Sequence, residues 1–124
     1  MMTPARRLPS AVALDDAARL TGVPVNRLRG AWRKEKLVSP YADKIALADV
    51  VRAFVALRLQ AIFGEQSGIG LNLARSVPEA SLMRLLNGET EVFDVMLDGA
   101  KFTVAFPREV FNELRDEILT TAGW

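Results

Sequence analysis

Apolar side chains at Ala17, Ala18 and Leu20 recur at helical spacing behind Asp15, a residue type that caps helix N-termini, and Gly22 ends the pattern. Val12, Ala13 and Leu14, just ahead, read as a short strand or as the lead-in to that helix. Pro24 stands where a second helix begins, because its missing N–H is not needed in a first turn. That helix is predicted to run to about Lys36, with Leu28, Ala31, Trp32 and Glu35 along one side. Residues 38–44 hold Pro40 and Tyr41 and predict a short hairpin or loop. A long amphipathic helix comes next, with Leu47, Val50, Val51, Phe54, Leu57, Ala61 and Ile62 at helical spacing. Gly64, Gly68 and Gly70 are expected to break it, and residues 71–86 to form one or two short helices interrupted at Pro78.

Further on the period changes from helical to alternating. Asp98-Gly99 is the two-residue turn that type I′ hairpins prefer. Pairing outward from it sets Leu97 opposite Ala100, Val95 opposite Phe102 and Phe93 opposite Val104, all on one face. Met96 with Lys101, and Asp94 with Thr103, fall on the other, as a half-buried hairpin requires. Pro107 starts a last helix with an apolar stripe of Val110, Phe111, Leu114 and Ile118. Such a hairpin is marginal alone, so its apolar face must pack on that stripe or on a second subunit. The elements together predict a mainly α chain with small β hairpins, an α+β fold.

Composition narrows the chemistry. The 124 residues include neither cysteine nor histidine, which excludes disulfides, Cys/His zinc sites, and Ser-His-Asp or Cys-His catalysis. The acidic run Glu109, Glu113, Asp116 and Glu117 reads as a solvated face. Gly64 to Gly70 lacks both the preceding strand and the Gly-Lys-Ser/Thr ending of a phosphate loop. No enzyme activity and no cofactor or metal is expected. Nothing resembles a membrane span or a signal peptide, so a cytoplasmic, nucleoid-associated protein is expected.

The net charge of +1 conceals a division. Residues 1–60 carry 11 basic and five acidic side chains, a net +6, while residues 61–124 carry five basic and ten acidic, a net −5. That asymmetry points to a nucleic-acid-facing half joined to a half with another task. The basic half contains the candidate. Residues 14–37 are two short helices joined through Gly22-Val23-Pro24, with small residues at Ala18 and Gly22 for close approach, and Val25 and Leu28 directed inward. This is the spacing of a helix-turn-helix. On a helical wheel Asn26, Gly30 and Arg33 lie opposite Leu28, flanked by Arg27, Arg29 and Lys34, with Lys36 at the end. Ala31 and Trp32 fall on the buried side. Arginine can pair bidentately with guanine and asparagine with adenine, lysine neutralises phosphate, and Gly30 would let the backbone come close to DNA.

The run Ala17-Ala18-Arg19-Leu20-Thr21-Gly22-Val23-Pro24-Val25-Asn26-Arg27-Leu28-Arg29 resembles the opening of MerR-like winged helix-turn-helix proteins. Leu37-Val38-x-Pro40 is similar to that family's lead into the wing, and Ala48-Asp49-Val50 to the start of the helix after it. Where the family has two aromatics after Leu-Arg, this chain has Gly30 and Ala31, and the spacing from Leu28 to Leu37 is closer to the excisionase branch. The resemblance covers residues 12–63 and implies a sequence-specific double-stranded DNA-binding regulator or recombination accessory factor, usually a homodimer. The second helix would enter the major groove through Asn26, Arg27, Arg29, Gly30, Arg33, Lys34 and Lys36, and the wing would bring Tyr41 and Lys44. The expected organisation is a flexible basic arm (residues 1–10), a winged helix-turn-helix (11–65) and an acidic helix–hairpin–helix module (66–124). That module is expected to dimerise or to dock a partner through Phe93, Val95, Phe102, Val104, Phe106, Phe111 and Leu114. The alternative is an antitoxin-like or phage regulatory protein whose C-terminal half binds a protein partner, with DNA binding secondary.

Overall fold

Val12 and Ile45 face each other, both buried, across the first of two antiparallel strand pairs in a computed structural model that describes residues 8–34, 36–41 and 43–121. The pair is β1 (Ala11–Ala13) with β2 (Lys44–Ala46), so the strand and the lead-in readings of residues 12–14 both hold: β1 runs directly into α1 (Leu14–Thr21). After α1 come two short helices, α2 (Val25–Arg29) and α3 (Ala31–Lys34), and β2 leads into the long α4 (Leu47–Phe63). A 3₁₀ turn (Glu65–Ser67) precedes α5 (Ile69–Ser76) and α6 (Glu79–Leu86), with Pro78 between them as predicted. The strands β3 (Val92–Leu97) and β4 (Ala100–Ala105) and the helix α7 (Arg108–Thr121) complete a mainly helical α+β fold. The N-terminal arm through Arg7, and Glu35, which was expected on the second helix, lie outside the described residues.

Local chemistry explains most element ends and corrects some expected ones. Asp15 is not a cap: Ala13 occupies that position, and Asp15 and Asp16 sit in the first turn, where a carboxylate favours the positive end of the helix dipole. The helix expected to run from Pro24 to Lys36 is broken at Gly30, and Ala31 is exposed rather than buried. Leu28 and Trp32 are buried as expected, whereas Val25 is only half-buried.

The largest departure is α4. Its apolar residues do not form a single stripe, because Ala48, Ala53, Val55, Ala56 and Leu59 are buried along with Val50, Val51 and Phe54. Ala61 and Ile62, predicted on the apolar face, are exposed. A helix covered on most sides belongs at the centre of a core, and α4 packs against α1 and β2 as well as α5 and α6. Gly70, expected to break this helix, instead lies inside α5 where it crosses α4. A Cβ built there would stand 2.5 Å from Gln60 N and 2.6 Å from Leu59 C, so only hydrogen fits between the two backbones.

The β3–β4 hairpin has the predicted register, from Leu97↔Ala100 to Phe93↔Val104, with Asp98 (φ 51°) and Gly99 (φ 81°) forming its turn. Its inner face packs mainly on α5 and α6 of this chain, and it reaches α7 only through Phe106, just beyond β4. The rings of Phe93 and Phe106 lie tilted 5.7 Å apart, Phe106 meets Phe111 edge-on at 5.9 Å, and Phe111 reaches Phe54 of α4 at 5.6 Å. One cluster of buried residues therefore runs from Val12 through α4 to Ile118, joining the basic and the acidic halves.

Candidate nucleic-acid interface

The segment predicted to be a helix-turn-helix is assembled from short-range bonds. Gly22, left-handed at φ 80°, closes α1 by donating its N–H to Ala18 O at 2.9 Å. Thr21 Oγ1 donates to Ala17 O and accepts from the N–H of Val23, which turns the chain while Val23 is fully buried. Pro24 then offers its carbonyl to the N–H groups of Arg27 and Leu28, and α2 begins.

At Gly30 the helical path breaks, and two backbone bonds bridge the break. Gly30 N donates to Asn26 O at 2.9 Å and Lys34 N to Gly30 O at 3.0 Å, which stacks Asn26, Gly30 and Lys34 in line. A Cβ at Gly30 would meet Asn26 O at 2.8 Å, so the break itself accounts for the glycine. Trp32, 2 % exposed, anchors the end of this segment, since its carbonyl accepts from Leu37 and Val38, both buried. This core role is the one its wheel position predicts. With Trp32, Leu37 and Val38 held inside, Arg33, Lys34 and Lys36 are left facing solvent.

The predicted wing is a minimal one. Tyr41 and Lys44 exchange both backbone hydrogen bonds, at 2.9 and 3.0 Å. Ser39 N donates to Asp49 Oδ2 at the start of α4, which fixes the segment leading in. Tyr41 is 86 % exposed, and beside it an open groove of about 530 Å³ runs along Ala11, Ile45 and Ala46.

The basic residues divide into those that hold the fold and those that face outward. Arg52 of α4 donates to Ala74 O at 2.6 Å and Val77 O at 2.7 Å, closing the C-terminal end of α5. Burial holds its guanidinium below the ordinary value, with Asp49 and Glu79 opposing the shift. Arg58 lies over the Phe54 ring at 3.4 Å, and Arg19 donates to Thr121 at 2.8 Å. Of the predicted contact residues, Arg27 is paired with Glu65 at 3.3 Å and Arg29 with Asp43 at 2.6 Å. Among the described residues Arg33, Lys34, Lys36 and Lys44 make no ion pair, and Asn26 is exposed. Neither ion pair was legible in the sequence, because 14 residues separate Arg29 from Asp43 and 38 separate Arg27 from Glu65.

The predicted partner surface fares differently. Phe93, Val95, Phe106, Phe111 and Leu114 are all less than a tenth exposed and belong to the chain's own core. Val104 is half-buried, which leaves Phe102, 50 % exposed, as the one residue of that set presented to solvent. The acidic side chains of α7 are exposed, and among the described residues no group of three or more carboxylates is placed to hold a metal ion. No described helix is long and apolar enough to cross a membrane. Comparisons with protein-family models, with curated protein sequences and with solved structures find no match, so the chain's function has to be sought in the site itself.

Proposed function

We propose that this chain binds double-stranded DNA sequence-selectively, as a MerR-like or excisionase-like winged helix-turn-helix acting as a regulator or recombination accessory factor. The observation that carries this reading is a set of cations without carboxylate partners among the described residues. Arg33 and Lys34 lie on α3 and Lys36 in the turn just after it, within the proposed helix-turn-helix, with Lys44 at the start of β2. A duplex offers phosphates to such a patch, and its major groove admits a helix. Asn26 and Arg33 are the proposed base readers, on opposite sides of the break at Gly30. Lys34, Lys36 and Lys44 are the proposed phosphate contacts.

Selection from a random duplex library tests this directly. An enriched site should be bound with a log affinity that falls against log salt with a slope of about −3, one for each of the three proposed phosphate contacts. Arg33→Ala should weaken the selected site by about 1–3 kcal/mol and relax preference at one base pair, whereas Lys44→Ala should weaken all sequences alike. No enrichment together with salt-independent binding rejects the reading.

A second reading rests on β4. Among the described residues its outer edge has no strand partner, and Phe102 is half-exposed beside it. Exposed edges recruit further strands, so a second copy of the chain, or a protein partner of an antitoxin-like factor, would pair there. A monomer by light scattering at high micromolar concentration excludes the second copy.

A further inference from the structure

The shortest ion pair among the described residues, Arg29 Nη2 to Asp43 Oδ1 at 2.6 Å, puts a carboxylate in the middle of the surface proposed to face a polyanion. Asp43 is 88 % exposed there and repels phosphate. Its geometry supplies a reason for its presence. Asp43 is a turn residue directly before Lys44, and its backbone carbonyl accepts the N–H of Leu14, the first residue of α1. Its side chain reaches the last residue of α2. One residue thus ties the turn to the beginning of the first helix and to the end of the second. The turn needs such a tie, because two backbone hydrogen bonds close it and Tyr41 is almost wholly exposed.

We infer that Arg29 and Asp43 form a clamp that sets the Tyr41–Lys44 turn against the reading helix, making Arg29 a positioning residue and not a contact to base or phosphate. This rests on the DNA-binding reading for its consequence but not for its structural part. Lys44 reaches phosphate only when the turn is held beside α2. Asp43 therefore favours binding despite its charge, and that fixes the sign of the test.

The experiment compares wild type, Asp43→Asn, Arg29→Gln and the double variant, each checked for an unchanged thermal midpoint. Amide hydrogen exchange is read at Leu14, Tyr41 and Lys44, and affinity is measured for the selected duplex. The clamp predicts faster exchange at Tyr41 and Lys44 in all three variants. It also predicts about two- to five-fold weaker binding in each, the range an exposed ion pair can supply, with the double variant no worse than either single one. The wild-type salt slope should persist in Arg29→Gln. Tighter binding by Asp43→Asn overturns the proposal, since it would mean that Asp43 merely competes with phosphate for Arg29. Unchanged exchange at Tyr41 and Lys44 overturns it as well. If wild type binds no duplex while exchange accelerates as stated, the clamp stands and the DNA-binding reading alone fails.

Discussion

Gly70→Ala reverses the usual sign of a glycine replacement. In an ordinary helix interior, alanine is more stable than glycine by about 1 kcal/mol. Here the new methyl would lie 2.5 Å from Gln60 N, 2.6 Å from Leu59 C and 2.9 Å from Gln60 Cα, against an ordinary contact of 3.4 Å or more. All three atoms are α4 backbone, which cannot rotate aside as a side chain can. The helices must separate by roughly 0.9 Å, loosening contacts along the crossing, and overpacking of this kind costs about 1–3 kcal/mol. With rigid backbone on the opposing side the upper end applies, so after the propensity gain the net loss is about 2 kcal/mol. Urea unfolding followed by circular dichroism measures it. With a slope of roughly 2 kcal/mol/M, the midpoint should fall by about 1 M at unchanged slope. A midpoint equal to or above that of wild type would refute the close crossing of α4 and α5.

Three further outcomes are expected from the same structure. Arg52→Met keeps the aliphatic stem but removes the donor to Ala74 and Val77, and should cost about 2–3 kcal/mol in the same assay, as charged hydrogen bonds do. Thr103→Val removes the hydroxyl whose hydrogen bond, together with Lys101, holds the Asp94 carboxyl below its ordinary range. Because the folded value is depressed, Asp94 contributes stability above its unfolded pKa and loses it as pH falls through the folded one. The variant should titrate Asp94 at higher pH by NMR, with less acid sensitivity between the two values. A fragment of residues 1–63 should fail to fold, because Phe54 and Leu59 would lose Phe111 and α5. A monomeric fragment with native circular dichroism would contradict the shared core.

How much of this was legible in the sequence depended on how local the cause was. The register of β3–β4 is set by two adjacent residues, Asp98 and Gly99, and by alternation on either side, so it could be read directly. Trp32 announced its burial by its place opposite the polar face. The surroundings of α4 were harder, although a signal was present: Ala53, Val55 and Ala56 fill the side that an amphipathic helix would leave polar. Phe102 keeps the alternation yet is half-exposed, because β4 lies at the outer edge of a two-stranded sheet and overhangs the core. In the candidate interface, residue types were legible but their availability was not. Arg27 and Arg29 look like Arg33 in the sequence and differ only in having Glu65 and Asp43 beside them in space.

The central position of α4 also determines where loss-of-function changes should fall in an unbiased mutational screen. One helix is shared by both halves, so a core defect near Ile118 lowers the amount of folded chain as surely as one near Leu28. Variants that abolish function with reduced abundance should be scattered over the whole sequence. Those that abolish it at normal abundance should map to the surface carrying Asn26, Arg33, Lys34 and Lys44. Abundance measured beside function would therefore draw the outline of the working surface without any ligand being known in advance.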